Sequence, residues 1–111
     1  MNTMEAILTR RSVRAFADEP VPDELLRQVL EAGRAAPSGG NAQAWGFVLV
    51  RSPGRLDALR ALAPGMIGRP AAAIAICLDR QRAPQARLMA ERLAWLDLGF
   101  AAENMLLAAH E

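Results

Sequence analysis

Four residues near the start of the chain have the chemistry of a phosphate site: Arg10, Arg11, Ser12 and Arg14. Arginine guanidiniums bind phosphate oxygens in pairs through a planar fork, and a serine hydroxyl adds a short neutral donor. A simpler interpretation is that these arginines lie in solvent near the negative end of a first helix. A nucleic-acid surface is the weakest interpretation, because no aromatic residues alternate with the arginines.

A second stretch, "APSGGNAQAW" at residues 36–45, combines glycines, a serine and side-chain amides between a helix and a strand. Glycines let a ligand approach the backbone closely, and the amides offer both donors and acceptors, so this loop could line a flat polar molecule. The alternative is purely structural: a proline stops the preceding helix, and Asn41 stabilises the turn that follows. The residues that supply these backbone and side-chain groups are Ser38, Gly39, Gly40, Asn41 and Gln43.

The elements that must position these stretches follow from the hydrophobic pattern, which predicts an α/β (α+β) fold. Helices are predicted at residues 4–11, 22–34, 53–62 and 85–109, and buried strands at residues 45–50 and 71–78. The alanines of the second of these strands would also allow a helical segment there. The last helix is apolar nearly all round in its second half, so we expect a central helix packed on several sides. The inward apolar residues are expected to include Ile7, Leu8, Leu56, Leu59 and Leu62.

Composition predicts a soluble globular chain: 52% of the 111 residues are hydrophobic, 23% are charged, and the net charge is +1. No bulk field would attract nucleic acid or an anionic membrane, so an anion must be bound by a local cluster. The single cysteine, Cys77, excludes an internal disulfide and is predicted to be a buried, inert thiol, which is compatible with a cytoplasmic location. Asp97 and Glu103 interrupt the apolar final segment, which favours a buried helix over a membrane span.

Residues 1–111 are expected to form one domain that is the front part of a longer one. A two-stranded sheet is marginal without further strands or helices, and the sequence stops at "LLAAHE" without a capping glycine or a polar tail. Such a chain would expose the apolar faces of residues 93–107 and of both strands.

Four motifs in order resemble the FMN-dependent nitroreductase family. They are "RRSVRAF", "PVPDELL", "APSGGNAQ" and "DLGFAAENMLLAA", at residues 10–16, 20–26, 36–43 and 97–109. The resemblance implies a nitroreductase-like fold, with a mixed sheet flanked by helices and a long central helix. It also implies a homodimer with FMN at the interface.

By this resemblance, two groups of residues bind FMN from opposite subunits. One group holds the phosphate and the pyrimidine edge of the flavin: Arg10, Arg11, Ser12 and Arg14. The other group lines the ring and the ribityl chain: Pro37, Ser38, Gly39, Asn41 and Gln43.

The implied reaction is hydride transfer from NAD(P)H through FMN to a nitroaromatic, a quinone or a similar small acceptor. The cofactor supplies this chemistry, so no catalytic side chain and no metal ligand is assigned. His110, the only histidine, is expected to be a solvated helix end.

Two residues depart from the family pattern. Ala44 stands where proline is frequent, and Glu103 stands where glutamine is common, which predicts a buried carboxylate that needs a partner.

Several alternatives stay open. The chain could be an inactive truncated fragment or a non-catalytic flavin- or phosphate-binding dimerisation module. The same fold could also carry other chemistry, as a dehalogenase, a heterocycle oxidase or a flavin-consuming synthase.

Overall fold

The computed structural model describes residues 1–83 and 90–111 and confirms the predicted mixed α and β architecture. One residue range, 84–89, includes the predicted start of the last helix and lies outside the described residues. The elements are α1 (Thr3–Thr9), α2 (Asp23–Arg34), β1 (Trp45–Val50), α3 (Pro53–Leu62), β2 (Ala73–Leu78) and α4 (Ala90–His110). A single 3₁₀ turn, Gly39–Asn41, lies between α2 and β1.

The strands β1 and β2 pair antiparallel, with Trp45 opposite Leu78 and Val50 opposite Ala73. Helix α4 packs against one face of this pair. Alternate strand residues direct their side chains toward it: Trp45, Phe47, Ile76 and Leu78. The resulting core contains Trp45, Leu98 and neighbouring small residues, and the Trp45 and Phe47 rings stack with centroids 6.4 Å apart. Packing against α4 therefore supplies the stability that two strands alone would lack.

Helix α2 packs closely against α4 because Gly33 has no side chain. A Cβ atom built at Gly33 would lie 2.7 Å from the Met105 sulfur and 3.1 Å from Cζ of Phe47. The Asn104 side-chain amide also donates to the carbonyl of Ala32 at 3.1 Å, which fixes the register of the two helices. The Met105 side chain therefore occupies the space that a Cβ atom at Gly33 would need.

Gly33→Ala is expected to lower the free energy of unfolding by about 1–2 kcal/mol. Overpacking costs roughly 1–3 kcal/mol, and the better helix propensity of alanine returns only part of that. Gly99→Ala is the matched control, since a Cβ atom at this exposed glycine of α4 meets no described atom within 4 Å. It should raise stability by about 0.5–1 kcal/mol. Thermal unfolding followed by circular dichroism measures the stability of both variants. If both substitutions change the stability in the same direction, this packing is contradicted.

In the described part of the chain, α1, α2, β2 and the 3₁₀ turn all contact α4. Its buried residues recur every three or four positions, as expected for a single stripe: Ala94, Asp97, Leu98, Ala101 and Met105. Several elements therefore contact the helix, as predicted, but its buried side chains form one stripe. The expected exposure of its other apolar residues is confirmed for Leu93, Trp95, Leu96, Phe100 and Leu106.

Several predicted burials are wrong. In α1, Ile7 and Leu8 are 48% and 67% exposed, because this short helix buries only Ala6. Leu62, the last residue of α3, is 83% exposed. Cys77 is an exposed thiol, because it lies on the opposite side of β2 from Ile76 and Leu78, which pack toward α4.

Candidate functional site

The loop between α2 and β1 is folded by its own polar atoms. Helix α2 ends at Arg34, as Pro37 predicts, and the Ser38 carbonyl then accepts the Asn41 N–H at 3.0 Å. The Ser38 hydroxyl accepts the N–H of Gln43 at 3.0 Å. A single serine thus closes both sides of the turn, which gives the loop a defined shape.

Three residues of this loop have left-handed backbone geometry. Their φ angles are 59° at Gly40, 56° at Asn41 and 49° at Gln43. Asparagine tolerates this region, but glutamine is uncommon there, and the hydrogen bond to Ser38 stabilises the strained residue. A Cβ atom at Gly40 would meet no described atom within 4 Å, so the space beside the backbone is open at this point of the loop.

A buried carboxylate anchors the loop to α4. Asp97 is 6% exposed, and its Oδ2 accepts the backbone N–H of Gly39 at 3.2 Å. Sequence reasoning treated Asp97 only as an interruption of an apolar segment. Its position three residues after Ala94 and four before Ala101 places it on the buried stripe, and this spacing could have predicted a buried acceptor that needs a donor.

The arginine segment begins where α1 ends. Arg10 caps the helix, and its backbone N–H donates to the carbonyl of Ala6. Its Nε atom lies 3.8 Å from Oε1 of Glu103 on α4. Glu103 therefore has the predicted partner, but its side chain is 52% exposed, so the predicted burial of this carboxylate is wrong. The reason is that Glu103 faces α1 and not the buried stripe.

The three arginines differ in what they contact. Nη1 of Arg11 lies 3.0–3.3 Å from the carbonyl oxygens of Leu8, Thr9 and Arg10, so this guanidinium caps the negative end of α1. The simpler interpretation of the cluster thus holds for Arg11. Arg14 and Ser12 are exposed and make no side-chain hydrogen bond or ion pair with any described residue.

The backbone of the arginine segment is fixed at its far end by Gly68. This glycine has a φ of +84°, and a Cβ atom there would lie 2.4 Å from the carbonyl oxygen of Arg14 and 3.0 Å from the Phe16 ring. Only glycine permits so close an approach with a positive φ. Residues 10–14 are therefore held between α4 on one side and the loop containing Gly68 on the other.

The end of α4 also holds α1. The Thr9 hydroxyl donates to the carbonyl of Glu5 at 2.6 Å and lies 2.9 Å from Nε2 of His110. Since a hydroxyl has one hydrogen, Nε2 must be the donor in the second bond. His110 lies at the end of α4, as expected, but it is only partly exposed and its Nε2 bonds to Thr9.

The loop and the arginine segment attach to different sides of α4. Asp97 and Glu103 are six residues apart, which corresponds to about 9 Å along the helix axis and about 120° around it. Within residues 1–83 and 90–111, no hydrogen bond or ion pair joins residues 10–14 to residues 37–43. The two candidate surfaces are therefore anchored on different sides of α4.

The described residues contain no group of three or more histidine, cysteine, aspartate or glutamate side chains that could hold a metal ion. Among the helices that could be searched, none has both the length and the apolar character to cross a membrane.

Comparisons with known proteins agree on one family. The sequence model of the Nitroreductase family matches residues 7–88. A Methanothermobacter thermautotrophicus protein, named as an NADH dehydrogenase/NAD(P)H nitroreductase, is 34% identical over 115 residues, which cover 99% of this chain and 56% of that protein.

Two solved structures have the same fold. A Desulfovibrio desulfuricans protein, described as a nitroreductase and solved in complex with FMN, has a TM-score of 0.86 and 38% identity over 99% of this chain and 63% of its own. The NADPH:FMN oxidoreductase of Vibrio harveyi, complexed with NAD+, has a TM-score of 0.85 and 31% identity over 97% of this chain and 51% of its own.

The chain thus spans between about half and two thirds of the length of these relatives. Within that span the match is nearly continuous, and it includes both the arginine segment and the glycine-rich loop. The chain belongs to the nitroreductase family.

Proposed function

We propose that the chain carries the FMN-binding half-sites of an NAD(P)H-dependent flavin oxidoreductase. Its acceptor would be a nitroaromatic, a quinone or a similar small molecule. The observation that carries this proposal is the pair formed by Arg14 and Ser12, which extend from a fixed, exposed segment without a partner among the described residues. A guanidinium and a hydroxyl in this state are donors ready for a phosphate.

The donor set fits FMN. Arg10, Ser12 and Arg14 would hold the phosphate and the pyrimidine edge, whereas Arg11 would support them by capping α1. The loop would line the flavin ring with Pro37, Ser38, Gly39, Asn41 and Gln43. Its open backbone at Gly40 suits a flat ligand, since no Cβ atom stands in the way.

A homodimer would bring the two surfaces together. In one chain they leave α4 about 120° apart, so the loop that faces a given arginine segment would come from a second copy. The exposed apolar residues of α4 would cover one another in such a dimer: Leu93, Trp95, Leu96, Phe100 and Leu106. We place this dimer in the cytoplasm, where a free exposed thiol such as Cys77 persists.

Bound FMN would supply hydride transfer between NAD(P)H and the acceptor. The side chains of this chain would bind and orient it, and positive charge from Arg10 and Arg14 would favour anionic forms at the pyrimidine edge. His110 takes no part as a proton donor in this scheme, because it is committed to Thr9.

Titration of the 111-residue chain with FMN and with riboflavin tests the proposal. FMN should bind at least tenfold more tightly, since riboflavin lacks the phosphate that the arginine segment would hold. Equal affinities would contradict the assignment of this segment. NAD(P)H oxidation in the presence of a nitroaromatic then separates an active reductase from a non-catalytic binding module or an inactive fragment.

A further inference from the structure

Glu103 places a negative charge beside the phosphate site that the proposed function assigns to Arg10. Its Oε1 lies 3.8 Å from Nε of Arg10, whose side chain is 28% exposed. Arg11 is occupied by the carbonyls at the end of α1, so only Arg10 and Arg14 remain to neutralise a phosphate. The negative charge of Glu103 therefore partly neutralises one of the two available guanidiniums, that of Arg10.

Two effects of Glu103 on phosphate binding compete. An ion pair could hold Arg10 in place and so improve binding, but a separation of 3.8 Å is longer than a hydrogen bond and orders the side chain weakly. Repulsion between the carboxylate and a phosphate dianion acts over a longer range and needs no fixed geometry. The repulsion should therefore exceed the gain from positioning.

We infer that the Glu103 carboxylate repels a phosphate bound beside Arg10 and so lowers the preference of this site for phosphorylated flavin over riboflavin. The inference rests on the proposed function. Removing the charge should tighten FMN binding by about two- to fivefold, the range typical of a partly exposed ion pair. Binding of riboflavin should not change, because riboflavin has no phosphate to repel.

The test is fluorescence titration of FMN and of riboflavin with wild-type chain and with Glu103→Gln. Glu91→Gln is the matched control: Glu91 lies on the same helix, is 53% exposed and also pairs with an arginine, at 3.1 Å from Arg80. It is twelve residues from Glu103, or about 18 Å along the axis, which exceeds the screening length of about 10 Å at 0.1 M salt.

The inference predicts tighter FMN binding by Glu103→Gln alone, with riboflavin unchanged. It is overturned if FMN affinity stays the same or falls, if riboflavin tightens equally, or if Glu91→Gln has the same effect. In an Arg10→Gln background, Glu103→Gln should still tighten FMN binding, because repulsion between the carboxylate and the phosphate does not require Arg10. Loss of the gain in that background would also overturn the inference. If the wild-type chain does not distinguish FMN from riboflavin, the proposed function itself fails.

Discussion

Arg14→Ala is expected to weaken FMN binding by about 10- to 100-fold and to leave riboflavin binding unchanged. Hydrogen bonds to charged groups contribute roughly 1.5–3 kcal/mol, and each 1.4 kcal/mol corresponds to about a tenfold change in affinity. The effect should be large because Arg14 has no competing partner among the described residues. Its exposed side chain can be removed without loss of a core contact.

Arg11→Ala provides the contrast for this prediction. It removes a guanidinium of the same charge, three residues away, that contacts the carbonyls at the end of α1. We expect it to destabilise α1, with a free-energy cost of about 0.3–1 kcal/mol, and to weaken FMN binding much less than Arg14→Ala. Titration with both flavins, together with circular dichroism, separates the two variants. If both variants lose the same FMN affinity, the contacts of Arg11 with the end of α1 do not keep it from binding FMN, and the distinction between Arg11 and Arg14 is wrong.

Asp97→Ala is expected to loosen the glycine-rich loop and to weaken FMN and riboflavin binding alike, by about tenfold. The hydrogen bond from Gly39 N–H to this buried carboxylate is the tie between the loop and α4, and a bond to a charged acceptor contributes roughly 1.5–3 kcal/mol. Because the loop would line the ring, which both flavins share, the loss should not depend on the phosphate.

Hydrogen exchange at the Gly39 amide measures the loosening directly. The amide should exchange faster in Asp97→Ala, whereas Asp97→Asn keeps an acceptor oxygen of similar shape and should show a smaller change. If exchange at Gly39 is the same in Asp97→Ala as in the wild type, Asp97 does not hold the loop.

Much of the fold could be predicted from local sequence. Helix α2 has an amphipathic pattern that begins after Pro22 and stops before Pro37, and β1 is a short β-rich run, so both were predicted within one residue. Burial was harder to predict, because it depends on which face a neighbour covers. Cys77 lies in an apolar strand yet is exposed, since α4 covers only the other face of β2.

In the candidate site, too, the segments could be predicted from sequence, but the contacts of their side chains could not. The residue types and the resemblance pointed to residues 10–14 and 37–43, but they did not distinguish Arg11 from Arg14. That distinction depends on where α1 ends and on carbonyls that local pattern does not locate. Asp97 and Glu103 were visible only as charges in an apolar helix, because their partners, Gly39 and Arg10, are 58 and 93 residues away in sequence.

The central claim is that each FMN is held by the arginine segment of one chain and the glycine-rich loop of another. Mixing Arg14→Ala with Asp97→Ala chains tests it most directly. In a mixed dimer one site would carry both defects and the other would carry neither, so random exchange should restore wild-type FMN affinity in about a quarter of the sites. If the mixture binds FMN no better than the two variants measured separately, both segments serve one site within a single chain, and the account is contradicted.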